Sequence, residues 1–399
     1  EHLFGCVDPK PMLHNMDTAF TITNLMNTTD ADNHTNVTNS HGNSLTGGST
    51  ITPAFLSKLY RKNGSLLGHP THKQSVFSTA NEWFSPSDLK IFQRKHGLLE
   101  TTIESIGNHD LTGENCSTPD EPNSNGCWEG NLDVQYLQGT APGVATRYHY
   151  VGSSNPFLEY ILAVSNEENP ALVHSISWGS TEQAVSKAVM KAFCNEAMVL
   201  ASRGVSIIVS SGDNGGVGTG FSSTGACSKT TCETDSSSRT GSASNWGGKS
   251  WTGSGFFPSF PATCPYVTSV GATMGPEFGY SETTCQSDVG FSSTTSRGGV
   301  ITSGGGFSTY FSRPDWQDFA VKTYMKTASS LPSSGFNAEG RGFPDISAIG
   351  VRYGVVVGGQ TFHLYGTSAS APVIAGFITL VNGLRAAENR TSIGWINKT

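Results

Sequence analysis

The chain has 399 residues, a formal net charge of −7 at pH 7 and 14% charged residues, against about 25% in an average soluble protein. This low charge excludes a coiled coil and a highly charged disordered chain. The 24 Lys and Arg are too few for the basic surface of a nucleic-acid binder. Protonation of the 11 His and neutralisation of carboxylates near pH 4 make the chain net positive in acid. The length allows one large α/β domain.

Cysteines and glycosylation motifs indicate the compartment. The eight cysteines form no C-x-x-C pair and have no zinc-site spacing. The short separations of Cys116 from Cys127 and of Cys227 from Cys232 favour local disulfides, whereas Cys194 lies on an apolar helical stripe and is predicted to be a core thiol. Asn-x-Ser/Thr motifs occur at Asn27, Asn33, Asn36, Asn63, Asn115, Asn389 and Asn397. We therefore expect a secretory-pathway glycoprotein, located in a lysosome or other acidic vesicle or outside the cell.

The first 50 residues differ in character from the rest. Residues 27–50 are almost wholly polar and have no apolar period, which predicts an exposed linker. We expect a boundary near residue 48, with a glycosylated segment over 1–47 and the folded domain over 48–399. Because the chain begins with Glu1 and not Met, we expect a processed N-terminus. No membrane span is predicted, because the longest apolar stretch, 371–381, is about half the ~20 residues that a span needs.

Helices and buried strands alternate after residue 50. Predicted helices cover 53–60, 86–97, 129–138, 155–166, 181–203 and 373–388, and predicted strands cover 145–151, 172–178 and 205–211. The capping-box spacing of Ser180 and Gln183 predicts the start of the long helix over 181–203. Strand 205–211 is continuously apolar, as in a parallel sheet that is covered on both faces. The alternation predicts an α/β fold with a mostly parallel central sheet and helices on both faces.

The sharpest motif is Gly-Thr-Ser-Ala-Ser-Ala-Pro at residues 366–372, directly before a long apolar helix. Proline is tolerated in the first turn of a helix, so Pro372 predicts a helix start close to Ser368. The Ser368 hydroxyl would then lie at a helix N-terminus, where the dipole and free N–H groups favour an oxyanion. We predict that Ser368 is a nucleophile; a serine-rich helix cap is the alternative.

A serine nucleophile needs a base within hydrogen-bond reach. His69 and His72 lie in polar, loop-like sequence and are not favoured. Glu129 and Asp133 are four residues apart and share one face of a predicted helix. Two carboxyl groups held close in a dry site share a proton, which creates a base that works in acid. An ordinary surface helix with two carboxylates is the alternative.

Asp213 follows the predicted strand 205–211, in the sequence Ser-Gly-Asp-Asn-Gly-Gly. In open α/β sheets, catalytic groups lie at the carboxyl ends of strands. An aspartic acid can donate a hydrogen bond to an oxyanion only when it is protonated. We therefore predict that Asp213 is an oxyanion donor and that the activity has an acidic optimum. The alternative is an aspartate that only forms a turn.

Together these motifs resemble the sedolisins, the serine-carboxyl peptidases that include tripeptidyl peptidases. The resemblance covers roughly residues 50 to 399. It rests on the order and spacing of seven segments: E-x-x-x-D (129–133), S-I-S-W-G (175–179), S-G-D (211–213), F-P-A-T-C-P-Y-V-T-S-V-G-A-T (260–273), S-G-G-G-F-S (303–308), F-P-D-I-S-A (343–348) and G-T-S-A-S-A-P (366–372). The resemblance implies a subtilisin-like fold. It also implies a Ser368 nucleophile, a Glu129 general base with Asp133 as its partner, and Asp213 as the oxyanion donor.

Further expectations rest on this resemblance alone. Extended segments are expected to pair with a substrate backbone; their residues are Ser177, Trp178, Gly179, Ser303, Gly304 and Gly305. Calcium is expected as a cofactor, with ligands beyond Thr399. Residues 1–47 resemble the end of a propeptide and its linker, as in a zymogen. The expected partners are peptides or unfolded proteins, the chain's own propeptide and a C-terminal light chain.

The motifs leave open how a peptide is cut. We expect an endopeptidase, with a tripeptidyl-peptidase of the same family as the alternative. A non-catalytic glycoprotein on the same fold is a second alternative, and a neutral Ser-His-Asp hydrolase is a third. Activity that follows a histidine pKa near 6.5 would favour the hydrolase.

Overall fold

The computed structural model describes residues 48–62, 67–107, 127–217, 256–286, 301–328, 331 and 335–397. Its α-helices are α1 (Pro53–Leu59), α2 (Pro86–Lys95), α3 (Trp128–Thr140), α4 (Pro156–Ser165), α5 (Lys187–Ser202), α6 (Asp318–Thr327) and α7 (Thr367–Ala387). Its strands are β1 (Lys73–Ser78), β2 (Ile103–Ile106), β3 (Ala145–Tyr150), β4 (Val173–Ile176), β5 (Ser180–Thr181), β6 (Ser206–Ser210), β7 (Ser259–Phe260), β8 (Thr268–Met274), β9 (Thr283–Thr284), β10 (Gly306–Ser312), β11 (Gly340–Phe343), β12 (Ile346–Ile349), β13 (Tyr353–Val357) and β14 (Gln360–Leu364). The predicted linker over 1–47 and several predicted features lie outside these ranges: Asn27, Asn33, Asn36, Asn63, Asn115, Cys116, Cys227 and Cys232.

The central sheet is parallel, as predicted. Its strand order is β12-β8-β6-β4-β1-β3-β2, and β9 is added antiparallel beside β8. Every neighbouring pair along that order is parallel. In the middle of the sheet, Ser175 of β4 lies opposite Ile208 of β6. Because all these strands point the same way, the loops at their carboxyl ends meet along one edge.

Helices cover both faces of the sheet. Alternate strand residues point to opposite faces, so Phe77 packs with α4 and α5, whereas its neighbour Val76 packs with α3 and α7. The same division separates Val209 from Ile208 in β6. A further cluster joins α1, α3 and α7 to the β13–β14 hairpin. This confirms the predicted α/β architecture with a sheet covered on two sides.

Helix α3 is buried along its whole length. It lies between α7 and the β13–β14 hairpin, and it carries amides that satisfy the hairpin backbone. Gln135 Nε2 donates to Val356 O at 2.8 Å, and Gln135 Oε1 accepts from Val356 N at 2.9 Å. Asn131 Nδ2 also donates to Val356 O at 3.0 Å. The surface-helix alternative for Glu129 and Asp133 is therefore wrong.

The start of α5 corrects the sequence prediction. The predicted helix over 181–203 begins with the separate 3-10 turn Glu182–Ala184, and the α-helix starts only at Lys187. Ser186 is its N-cap, and the Ser186 side chain accepts a hydrogen bond from Val189 N. The capping box proposed for Ser180 and Gln183 is wrong because Ser180 belongs to β5, which pairs with β7.

The cysteine prediction also needs correction. Cys194 is not a core thiol: it forms a disulfide with Cys264, 70 residues away, with a Cα–Cα distance of 5.7 Å. Cys285 is a buried free thiol. Cys127 is disulfide-bonded, and its predicted partner Cys116 lies outside the described residues. A separation of 70 residues carries no spacing signal, so local sequence could not reveal the Cys194–Cys264 pair.

Helix α7 starts at Thr367, close to the predicted position. Pro372 lies inside the helix and has no N–H for the carbonyl of Ser368, four residues earlier. That carbonyl accepts a hydrogen bond from the Ser177 hydroxyl at 3.3 Å instead. The helix has the length and hydropathy of a membrane span, but 78% of its apolar window is buried inside the protein.

Candidate active site

Four chain segments meet at the carboxyl edge of the sheet. Ser177 directly follows β4, Asp213 follows β6 by three residues, and Ser368 follows β14 through a tight turn. Helix α3 runs beside this edge and presents Glu129 and Asp133 from its buried side. The fold therefore brings the four predicted catalytic side chains to one place.

Ser368 is the second residue of α7 and is 7% exposed. Its hydroxyl donates to Ser177 O at 3.1 Å and also interacts with the Glu129 carboxyl. The turn before it favours glycine at position 366, because its φ is +158° and a Cβ there would lie only 3.1 Å from Asp213 Oδ2. This close approach holds the serine at the helix N-terminus, where backbone N–H groups point outward.

Glu129 and Asp133 form a buried pair of carboxyl groups that are 4% and 1% exposed. Burial raises the pKa of Glu129 well above its ordinary value, and the charges of Asp133 and Glu82 raise it further. The hydrogen bond with Ser368 acts in the opposite direction on that pKa. Burial likewise raises the pKa of Asp133. Two such groups titrate together and retain a shared proton far above pH 4.

The Ser177 side chain has a role that the sequence did not indicate. Its hydroxyl donates to Asp133 Oδ1 at 2.6 Å, and this bond lowers the pKa of Asp133 against the effect of burial. The backbone carbonyl of Ser177 also accepts from the Ser368 hydroxyl. One residue thus contacts both the predicted nucleophile and the carboxyl pair, because β4 ends directly between α3 and α7.

Asp213 is held through one of its two carboxyl oxygens. Oδ1 accepts from Thr367 N at 2.7 Å and from Thr367 Oγ1 at 2.9 Å. Oδ2 faces the turn at Gly366, beside the backbone of Ser368. Burial raises the pKa of Asp213, whereas the two bonds from Thr367 lower it. Oδ2 accepts neither of the bonds from Thr367 and is the Asp213 oxygen beside the Gly366 turn.

A cavity of about 350 Å³, including its solvent-open mouth, lies directly beside Asp213. Gly179, the paired residues Thr181 and Ser259 of β5 and β7, and Phe343 of β11 line it. Apart from Asp213, its lining residues carry no charge. This lining favours an uncharged side chain over a charged one.

The predicted substrate-pairing segments differ in their hydrogen bonding. Within the described ranges, no backbone hydrogen bond occupies Trp178 or Gly179. By contrast, Gly304 N donates to Gly212 O at 2.6 Å, and Gly304 O accepts from Ser211 Oγ at 2.8 Å. Pairing of Gly304 with a substrate would require these bonds to break.

The residues on either side of Gly304 also contact other parts of the protein. Ser303 N donates to Cys285 O, and Ser303 Oγ accepts from Ala272 N, both at 2.9 Å. Gly305 lines a second, aromatic cavity together with Phe256 and Phe307. Substrate pairing by Ser177, Trp178, Gly179, Ser303, Gly304 and Gly305 stays a prediction.

Glu82 is a residue that the sequence reasoning missed. It is 1% exposed, and its charge raises the pKa of both Glu129 and Asp133. It lies four residues after β1, at the same edge of the sheet. Strand β1 was not predicted, because its sequence KQSVFS is short and mixed in polarity. Recognition of that strand would have drawn attention to a carboxylate at its carboxyl end.

The histidine pair lies elsewhere. His69 and His72 precede β1 and therefore lie at the amino end of that strand, at the edge opposite Ser368. His69 Nδ1 is hydrogen-bonded to Thr71 Oγ1 at 2.8 Å, at the surface. Among the described hydrogen bonds, those of the Ser368 hydroxyl involve no histidine. This geometry gives no support to a Ser-His-Asp arrangement.

No metal site is visible among the described residues. They contain no group of three or more His, Cys, Asp or Glu that could hold a metal ion. The calcium ligands that the resemblance implies would follow Thr399, so calcium stays a prediction.

The chain is similar in sequence to proteins named tripeptidyl-peptidase 1. The chain is 32% identical to tripeptidyl-peptidase 1 of Dictyostelium discoideum over 82% of this chain and 46% of that protein. It is 31% identical to tripeptidyl-peptidase 1 of Mus musculus over 87% of this chain and 54% of that protein. The chain thus spans about half the length of these relatives.

A solved structure and a family model complete the comparison. The solved structure is a Pseudomonas sedolisin, a serine-carboxyl proteinase, complexed with pseudo-iodotyrostatin. It matches this chain with a TM-score of 0.59 and 21% sequence identity, and the match covers 88% of this chain and 84% of that chain. This match confirms the predicted fold. The model of the subtilase family, peptidase S8, matches residues 81–392. The chain therefore belongs to the subtilase family of serine peptidases, and its fold is similar to that of a sedolisin.

Proposed function

We propose that the protein is an acid-acting serine-carboxyl peptidase that hydrolyses peptide bonds through an acyl-enzyme on Ser368. The observation that carries this proposal is the contact of the Ser368 hydroxyl with Glu129, which shares a buried site with Asp133. Asp213 Oδ2 lies beside the same serine. A nucleophile, a base with its partner and an oxyanion donor are the groups that acyl transfer requires.

The proposed acylation starts with Glu129 in its ionised form. Glu129 accepts the proton of Ser368 as Oγ attacks the carbonyl carbon of the substrate. Protonated Asp213 and the backbone N–H groups at the start of α7 donate to the oxyanion. Glu129, now protonated, gives its proton to the leaving amine as the C–N bond breaks. Water then attacks the acyl-enzyme, with Glu129 again as the base, and Ser368 is released.

The pKa directions support work in acid. The carboxyl pair must hold one negative charge to supply a base, and Asp213 must hold a proton to donate. Burial raises the pKa of all three groups. The active protonation state therefore exists at pH values above the first pKa of the Glu129–Asp133 pair and below the pKa of Asp213. We propose an optimum on the acidic side of neutrality.

The names of the relatives bear on the mode of cleavage. Both of the relatives described above are named tripeptidyl-peptidase 1. Their names favour the release of tripeptides at least as much as endopeptidase cleavage. We include in the proposal peptides or unfolded proteins as substrates, the propeptide and a light chain as partners, calcium, and a lysosomal, vesicular or extracellular location.

Product analysis tests the proposal. The protein is incubated with unstructured peptides from pH 2 to 8, and the products are identified by mass spectrometry, with Ser368→Ala as the control. We expect cleavage that peaks below pH 6 and is abolished in the variant. Products of three residues identify a tripeptidyl-peptidase, and internal fragments an endopeptidase. Full activity of the variant would refute the nucleophile, an optimum near pH 7 would refute the base, and a folded but inactive parent would favour a non-catalytic glycoprotein.

A further inference from the structure

Glu182 is a buried carboxylate outside the catalytic group. It directly follows β5 and is 3% exposed. Its backbone N donates to Pro258 O at 2.9 Å, which attaches it to the segment that enters β7. A buried carboxylate is costly unless protein groups donate hydrogen bonds to it, so the donors around Glu182 indicate what it holds.

These donors come from β10. Glu182 Oε2 accepts from Thr309 N at 2.7 Å and from Thr309 Oγ1 at 2.8 Å. Glu182 Oε1 accepts from the Ser308 hydroxyl. Within the described residues, no other hydrogen bond joins β5 or β7 to β10 or β11. The side chain therefore connects two small sheets that are otherwise in contact only through packing.

The two small sheets form facing walls of the cavity beside Asp213. In the first sheet, Thr181 of β5 lies opposite Ser259 of β7, and both line the cavity. In the second sheet, Gly306 of β10 lies opposite Phe343 of β11, and Phe343 also lines the cavity. Glu182 is not among the residues that line the cavity, but it directly follows Thr181 on the first wall and bonds to β10 of the second sheet.

We propose that Glu182 is a positioning residue that sets the separation of these walls and thereby the size of the substrate side chain that the cavity accepts. This inference rests on the proposed peptidase function. Loss of the carboxyl group would let the β10–β11 sheet move away from the β5–β7 sheet. The cavity would then accept larger side chains, while Ser368, Glu129 and Asp213 keep their contacts.

The test compares two peptides that differ in one residue, Ala or Phe, on the acyl side of the cleaved bond. Dissociation constants are measured in the Ser368→Ala background, and kcat and KM in the active protein. We expect Glu182→Ala to shift selectivity by about tenfold toward Phe, within the range that pocket fit supplies. The shift should appear mainly in KM. Glu182→Gln keeps an oxygen for Thr309 N and an amide for Ser308 Oγ, so it should stay within about threefold of the parent.

Two further variants make the test decisive. Glu277→Ala removes another buried glutamate, which accepts from Gly275 N at 2.7 Å away from the cavity; it should leave the selectivity ratio unchanged. Thr309→Val removes one donor and keeps the volume, so it should shift selectivity in the same direction by a smaller factor. It also replaces Glu182→Ala if that variant fails to fold.

The inference is overturned if the folded variants lower kcat/KM equally for both peptides, or if Glu277→Ala shifts the ratio as much as Glu182→Ala. It is distinct from the proposed function. A parent that binds both peptides but cleaves neither refutes the function, whereas the binding ratios in the Ser368→Ala background still decide the role of Glu182.

Discussion

At the scale of single residues, the two oxygens of Asp213 have different tasks, and this difference can be tested. Asparagine can keep both bonds from Thr367 through its carbonyl oxygen and place its amide N–H₂ where Oδ2 lies. Alanine provides neither. We expect Asp213→Ala to lower kcat by about 10²- to 10³-fold, and Asp213→Asn to remain at least tenfold more active than Asp213→Ala. Equal activities of the two variants would contradict an oxyanion role for Asp213.

A second residue-scale prediction concerns Ser177. Its hydroxyl lowers the pKa of Asp133, so its removal raises that pKa and delays the first ionisation of the carboxyl pair. Since the ionised pair supplies the base, the acid limb of kcat/KM in Ser177→Ala should move to higher pH by about one unit.

The matched control for this prediction is Ser175→Ala. Ser175 is also a buried serine near the end of β4, and its hydroxyl has no hydrogen-bond partner within the described residues. Its removal should leave the acid limb in place. The proposed role of Ser177 fails if the acid limb moves equally in both variants, or in neither.

At the scale of elements, the site depends on the close approach of α3 and α7. The two helices approach closely at Gly376, where a Cβ would lie 2.6 Å from the Cβ of Thr140. Alanine is the better helix former by about 1 kcal/mol, but overpacking of this kind typically costs 1–3 kcal/mol. Because the clashing atom is attached directly to the backbone of α3, we expect the clash to prevail.

Gly376→Ala should therefore lower the free energy of unfolding by about 1 kcal/mol. It should also lower kcat, since α3 carries Glu129 and α7 carries Ser368. Denaturant unfolding and peptide kinetics measure the two effects. Val381→Ala on the exposed side of α7 is the control, because it changes the same helix without contact with α3. Unchanged stability and rate in Gly376→Ala would show that the two helices can separate without consequence.

The elements also show how far sequence reasoning reaches. The starts of α3 and α7 lie within one or two residues of the predicted positions, the second because glycine and proline flank one serine. The end of α3 was predicted at 138, whereas the helix continues through Gly139 to Thr140. The start of α5 did not, because pairing of β5 with β7 overrides the capping signal at Ser180. Strand β1 and the role of Ser177 depend on contacts between distant segments, which spacing along the chain does not encode.

At the scale of the whole molecule, stability should depend on pH through the buried carboxyl groups. Their pKa values are raised in the folded state, so these groups bind more protons in the folded protein than in the unfolded chain above about pH 4. Their contribution to stability is therefore lost as pH rises from 4 through the folded pKa values. Buried and half-buried histidines oppose this trend, because burial lowers the pKa of His96, His149 and His363 to about 4 and that of His174 to about 3, and their contribution is lost as pH falls below 6.5.

The double variant Glu129→Gln/Asp133→Asn isolates the carboxyl contribution. The amide oxygen introduced by Asp133→Asn can keep the bond from the Ser177 hydroxyl, but neither substituted group ionises. We expect the double variant and the parent to have similar melting temperatures at pH 4. At pH 7 the variant should be more stable, by about 1 kcal/mol for each unit by which the pair's pKa is raised. A difference that is the same at both pH values would contradict the shared buried charge.

The hydropathy of α7 has a consequence for biosynthesis. The helix that begins with the Ser368 motif has a mean hydropathy of 1.4 over 18 residues. For the proposed secretory-pathway location, this segment has, before it is packed, the properties by which a bilayer retains a translocating chain. Packing of this segment inside the protein and its insertion into a bilayer are therefore competing processes before folding is complete. A substitution that slows the docking of α7 on the sheet should lose protein to the membrane as an integrated, inactive species, in addition to any loss through aggregation.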